Sequence, residues 1–273
     1  MSNSKLTVET ANLSDSLRVN LLANSPTTDL QVGQLAYIAG SLKVYRPSGW
    51  RNLLSTEQSF IQQSSLVAWL DPTEFLQGAS SWQDKASGSV WDVSTTTTTK
   101  PNDYQIEDTV AVYFRNGRAS QMEVGAGNLT YECWMYFSTT NYGTWKYIIG
   151  KSSFWDANSS GIYISANGQS LGFHTTNTNG IEYSISNFGT GWKHLAAVMD
   201  GTGRKLYVNG NLVASDSTRH NMTSTTSLTY GADNEGSYGD SRFKYGHARF
   251  YNVNLSQTQL QQHFNSEKAY YGL

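Results

Sequence analysis

Only one cysteine, Cys133, occurs in the 273 residues, so no disulfide can form within the chain. It stands inside "LTYECWMYF", Leu129 to Phe137, an apolar stretch in which a free thiol behaves as a small hydrophobe. Folding in a reducing cytoplasm is expected. Charge is scarce too: Asp, Glu, Lys and Arg make up 15% of the residues, against about a quarter in ordinary soluble proteins. The net charge of −2 offers no basic surface for nucleic acid, so none is expected as a partner. Apolar runs such as Leu195–Met199 hold five residues, far below the roughly 20 that a spanning helix needs. The opening "MSNSKLTVET" is polar and lacks the apolar centre of a secretory signal, so membrane insertion and secretion are not expected.

Turns and short strands fill the chain instead. Asn-Gly occurs at 116–117, 167–168, 179–180 and 209–210. That dipeptide favours the type I′ turn of a tight hairpin, because both central residues need positive φ. "KLYVNGNLVA" puts Leu206 and Val208 on one face before the turn and Leu212-Val213 after it. From Leu66 onward, apolar and aromatic runs alternate with such turns, which predicts an all-β, two-sheet antiparallel sandwich. "LAAVM", Leu195–Met199, is apolar on both faces and belongs at a sheet centre, whereas "STTTTTK", Ser94–Lys100, reads as an exposed loop or weak edge strand.

Two further elements flank the sandwich. "GQLAYIAGSLKVYRPSGWRNL", Gly33 to Leu53, reads as a hairpin of Leu35–Ile38 and Leu42–Tyr45 closed by Trp50. A lone hairpin is marginal in water. The expected division is therefore an attachment or oligomerisation segment over 1–54, a polar linker over 55–65 and a sandwich over 66–273. At the other end, Ser256 and Gln259 form a capping box, with Leu255 and Leu260 as its hydrophobic staple. They predict a short helix of one to two turns, with Leu260 and Phe264 toward the sandwich.

"LVAWLDP" (66–72), "SWQDKASG" (81–88), "LTYECWMYF", "YIIGK" (147–151), "GWKHLAAVMDGTGRKLYVNG" (191–210) and "GHARFYNVNLSQTQLQQHFN" (246–265) occur in that order. In series, over residues 66–271, they resemble the laminin-G-like, concanavalin-A-like jelly rolls. The resemblance implies a lectin-like sandwich whose commonest use is binding carbohydrate or protein. One departure stands out. The family often has Phe-Asp-Gly where this chain reads Phe114-Arg115-Asn116-Gly117, so no acidic group is expected at that turn. The opening stretch resembles the short β-segments near the N-termini of bacteriophage fibre, tail and head-appendage proteins. In those proteins such segments attach to the particle or intertwine with their own copies.

Catalysis is not expected. Glycan hydrolysis needs two carboxylates facing each other across the sugar, yet Glu132 and Glu182 each stand alone on their strands. No Gly-x-Ser-x-Gly elbow is present, and the five histidines show no metal-ligand spacing. His194 and His247 are read as structural hydrogen-bonding groups. No cofactor is expected. Asp233 and Asp240, in "YGADNEGSYGDSR", offer oxygen ligands for calcium, but a solvated acidic loop is the preferred reading.

Sugar binding needs exposed aromatic faces beside amide or guanidinium donors. Three loops carry that mixture: Tyr142 and Trp145; Phe154, Trp155 and Asn158; and Asn234, Tyr238 and Arg242. The same side chains also suit core lids or subunit contacts. The function these readings imply is a bacteriophage virion structural protein, made in the host cytoplasm. Leu35, Tyr37, Ile38, Leu42, Val44, Tyr45 and Trp50 would attach it to other virion proteins or to its own copies. The sandwich would face outward toward host glycans. A free-standing glycan-binding or glycan-active protein of cellular origin is the alternative, and particle decoration without sugar binding is a third.

Overall fold

Two units make up the chain, residues 1–58 and residues 59–273. The computed structural model describes residues 65–273 except 117–121, 123, 124, 126, 152–157, 177–179, 225, 234 and 235. Before residue 65 it describes the backbone of four strands. These are β1 (Leu21–Leu22), β2 (Leu35–Ile38), β3 (Ser41–Arg46) and β4 (Gly49–Asn52), side by side in that order. The expected hairpin is β2–β3, with Leu35 opposite Val44 and Tyr37 opposite Leu42. Trp50 is not a lone closing residue: it lies on a third antiparallel strand, opposite Tyr45. Leu21-Leu22 adds a fourth strand, parallel to β2. The side chains of this segment, like the 55–64 stretch, lie outside the described residues.

The second unit starts with β5 (Leu66–Leu70), β6 (Ser81–Gln83), β7 (Val90–Val93), β8 (Thr99–Asn102), β9 (Gln105–Glu107) and β10 (Phe114–Asn116). It continues with β11 (Leu129–Phe137), β12 (Lys146–Lys151), β13 (Ser160–Ile164), β14 (Ser170–His174) and β15 (Ile181–Ser184). Then come β16 (Gly191–Asp200), β17 (Gly203–Val208), β18 (Asn211–Asp216), β19 (Leu228–Tyr230) and β20 (Lys244–Tyr251). The single α-helix among the described residues, α1, spans Gln257–Glu267.

These strands form two antiparallel sheets packed as a jelly-roll sandwich. One has the order β15-β14-β13-β12-β19-β10-β7-β6; the other has β18-β17-β16-β11-β20-β9-β8, with β5 also on β20. Alternation on β11 explains the packing, since successive side chains leave a strand on opposite faces. Leu129, Tyr131, Cys133, Met135 and Phe137 enter the core between the sheets. Burial pushes the Cys133 thiol well up, so it stays a neutral, apolar filler. Thr130, Glu132, Trp134 and Tyr136 leave by the outer face.

On β16 the run read as apolar on both faces lies between β11 and β17. Leu195, Ala197 and Met199 face the core, while Ala196 and Val198 join a second cluster with Trp69, Tyr251, Leu255 and Leu260. That cluster forms because α1 lies across the outer face. The capping box is present: Ser256 Oγ accepts from Gln259 N at 3.3 Å and the Gln259 side chain accepts from Ser256 N at 2.8 Å. The helix has 11 residues, about three turns rather than one or two. Its buried positions are Leu260, His263 and Glu267, so polar groups carry the face beyond Leu260, while Phe264 is half-buried.

Turn chemistry is legible in part. Asn209 and Gly210 both have positive φ, 52° and 74°, as the type I′ turn requires. At 167–168 only Gly168 is left-handed, and the Ser165–Ser170 closure gives a longer loop. Asn116 is no hairpin turn. It ends β10, which pairs with β7 and β19, and its amide donates to Val90 O at 2.8 Å.

Candidate functional site

The loop before β12 and the loop before β20 meet at one end of the sandwich, and a buried carboxylate holds them together. Asp240 accepts from Arg242 Nε at 2.8 Å, Nη2 at 2.6 Å and N at 2.9 Å, and pairs with Lys146 Nζ at 3.3 Å. Burial pushes the Asp240 carboxyl up, but the Arg242 hydrogen bonds and the Lys146 charge outweigh it and hold the group below the usual range. Arg242 then crosses to the other loop. Nη1 donates to Asn141 O at 3.4 Å, Nη2 donates to Tyr142 O at 3.1 Å, and the guanidinium lies 4.6 Å from the Tyr142 ring centre. Four of the five guanidinium N–H groups are thus committed. Arg242 is a brace between the loops rather than a free fork for a ligand, which corrects its expected role.

Tyr142 is also corrected. It is 3% exposed and packs against Phe137 and Phe243, so it is a core lid and no sugar platform. Trp145 and Tyr238 are half-buried at this end. Tyr238 has φ of 60°, in the left-handed region that a residue with a Cβ rarely adopts. Its carbonyl accepts from Tyr147 N at 2.9 Å, which fixes the loop against β12. Trp145 tilts against Tyr163 at 5.4 Å. That tyrosine lies flat on the outer face of its sheet: a Cβ at Gly172 would fall 2.3 Å from its ring. Its hydroxyl donates to Glu182 at 3.0 Å, and burial with the Glu182 charge drives its pKa far up.

Among the described residues of the three expected sugar-binding loops, Asn158 does not join Trp145 and Tyr238. β12 runs from Lys146 to Lys151, so Asn158, beyond the Lys151–Ser160 pair, sits about 17 Å from Trp145's end. Asn158 is exposed there. Phe154, Trp155 and Asn234 lie outside the described residues.

Calcium at Asp233 and Asp240 finds no support in their surroundings. Asp240 is neutralised by two cationic side chains, and Asp233 accepts from Ser237 N at 2.7 Å to close its own turn. Among the described residues no three His, Cys, Asp or Glu side chains converge as a metal site.

Glu132 is far from isolated. Wholly buried under α1, it accepts from His194 Nε2 at 2.7 Å, His263 Nδ1 at 2.9 Å and Arg249 Nη1 at 3.2 Å. Burial alone would raise its carboxyl, but His263 and Arg249 outweigh that and hold it well below the usual range. Arg249 also pairs with Glu267, which accepts from Trp134 Nε1 at 2.6 Å. His247 stands between Asp71, at 3.2 Å from Nε2, and Tyr271, whose hydroxyl is 2.9 Å from Nδ1. His194 and His247 are therefore structural, as expected. The network ties strands β5, β11, β16 and β20 to α1 and is closed to a substrate.

A family model described as the concanavalin A-like lectin/glucanases superfamily, Laminin_G_3, matches residues 108–261. The chain matches no curated protein. It is similar to the solved receptor-binding domain of the botulinum neurotoxin C/D mosaic serotype, with TM-score 0.55 and 12% identity over 75% of this chain and 52% of that one. It is similar as well to the botulinum neurotoxin serotype D ligand-binding domain in complex with N-acetylneuraminic acid (TM-score 0.55, 14% identity, 78% and 53%). Trypanosoma rangeli sialidase aligns with TM-score 0.55 and 12% identity over 86% of this chain and 44% of that one. The chain thus spans about half the length of these proteins, and at such identity the likeness is one of fold.

Proposed function

The chain belongs to the concanavalin A-like lectin/glucanases superfamily, and from that premise we propose that it is a carbohydrate-binding protein whose site is the braced loop end. The observation that carries this reading is the Asp240–Arg242–Lys146 clamp, which holds Trp145 and Tyr238 on a fixed frame. A preset aromatic surface loses little entropy when it stacks on a sugar. Binding rather than hydrolysis is the role it suits. Glu132 is sealed beneath α1, whereas Glu182 is exposed on β15 and accepts from the Tyr163 hydroxyl, so the two do not face each other across a sugar-binding groove.

The setting we propose is a bacteriophage particle. The four-stranded N-terminal sheet would join the protein to other virion components or to its own copies, and the sandwich would face host glycans. Its short strands and the apolar residues Leu35, Tyr37, Ile38, Leu42, Val44, Tyr45 and Trp50 support that role, since so small a sheet needs outside cover.

A glycan array probed with the full chain and with Trp145→Ala tests the binding role. Retention of at least one glycan class, weakened about tenfold by the substitution, is the expected outcome. A blank array would leave only the decorative role. Light scattering of 1–273 against 59–273 tests attachment: the longer chain should be a multimer, and equal monomeric masses, with equal binding to particles lacking the protein, would remove the claim.

A further inference from the structure

We propose a second carbohydrate site, on the outer face of the sheet beside the C-terminal turn, whose ligand is a neutral oligosaccharide. Three cross-strand neighbours form its floor. Trp192 on β16 lies opposite Tyr136 on β11, which lies opposite Lys244 on β20. Lys244 reaches Glu107 on β9 at 2.7 Å. Four strands spaced about 4.8 Å apart make a row of roughly 14 Å, long enough for a short chain of pyranose rings.

The row stays open because the elements around it stop short. β17 ends with Val208 opposite Leu195, so Trp192 stands past the end of that ladder. The helix and the 3-10 turn after it, Lys268–Tyr271, cover the sheet only as far as Tyr271, whose ring stacks on Trp134 at 4.1 Å and meets Trp192 at 4.7 Å. Tyr271 therefore forms a wall, anchored by the bond its hydroxyl accepts from His247 N at 2.9 Å. Trp192 and Tyr136 meet at 72° with centres 5.7 Å apart, an aromatic corner whose two residues are half-buried.

Charge decides the ligand. Lys244 and Glu107 are 35% and 30% exposed and neutralise each other, so the row offers ammonium donors and carboxylate acceptors side by side without net charge. Hydroxyl groups, which donate and accept, complement such a pair. A sialic acid carboxylate would have to displace Glu107. Stacking on the corner with hydroxyl contacts to the pair suits a neutral sugar. This site stands apart from the braced loop end and does not depend on it.

The test uses the full chain labelled with 5-fluorotryptophan and followed by fluorine NMR. Cellotriose, maltotriose, chitotriose and sialyllactose are added in turn, with Trp192→Phe to assign the resonance. A saturable shift of the Trp192 signal is expected with at least one neutral trisaccharide. It should persist in Trp145→Ala and weaken at least tenfold in Lys244→Met, with the remaining indole signals of Lys244→Met unmoved as proof of folding. Three results would each overturn the site: no shift with any neutral probe, a shift with sialyllactose alone, or a shift that follows protein concentration without sugar, the mark of a second copy on this face.

Discussion

Replacing Glu132 by alanine removes the anion at the centre of the buried network and leaves the surrounding donors facing one another. His194, His263 and Arg249 all direct N–H groups at it, from two strands and the helix. Breaking a buried, hydrogen-bonded charge pair by deleting one partner costs about 3–5 kcal/mol, chiefly through the unpaired charge left behind. In a unit of the size of residues 59–273, each kcal/mol shifts the melting temperature by about 2–4 °C. The expected fall is therefore roughly 6–20 °C by calorimetry on the full chain. Asp92, exposed on an outer face, supplies the control: Asp92→Ala should stay within about 0.5 kcal/mol of wild type. Because Arg249 keeps Glu267, the damage should centre on the helix contact, and limited proteolysis should cut first near 257–267. A melting temperature for Glu132→Ala within about a degree of wild type would refute the reasoning.

Four other outcomes follow from the same structure. Burial works against the charged form of His263, but the Glu132 charge and hydrogen bond outweigh it and raise its pKa. That contribution is fully present below about pH 6.5 and is lost as pH rises through the higher folded value. The melting-temperature gap between wild type and His263→Gln should accordingly narrow on the alkaline side, and a gap constant from pH 5 to 9 would contradict it. Glu132 and Glu267 have lowered pKa values, so their contributions hold above about pH 4.3 and fade as pH falls below it. Gly161→Ala would place a Cβ 2.2 Å from the Tyr147 hydroxyl and 2.9 Å from Ile149 O; a loss of about 1–3 kcal/mol is expected in urea melts. Asp240→Asn should free Arg242 and loosen both loops, seen as faster amide exchange at 139–146 with the sandwich core unchanged.

What sequence alone revealed was what local chemistry controls. Ser256 and Gln259 lie three residues apart, and the capping box they predict is present. The two-faced run Leu195–Met199 placed β16 inside its sheet, because burial on both faces leaves no polar alternation to read. The Glu132 network escaped because its partners are distant in the chain: His263 is 131 positions away and Arg249 117. A signal did exist. His263 and Glu267 follow Leu260 at the spacing of one helix face, and polar groups on an apolar face need buried partners. Arg242 was misread for a similar reason. Its tie to Asp240 is local, two residues apart, but its reach to Asn141 O spans 101 positions and turns a donor into a brace. Whether three loops share an end depends on strand direction, and β12 separates Asn158 from Trp145.

The most direct test of the braced loop end is a structure of the full chain soaked with the best glycan from the array. The account predicts a sugar ring stacked on Trp145, with the Asp240–Arg242 clamp unchanged. A sugar bound only elsewhere, or clamp residues that rearrange to admit it, would contradict it.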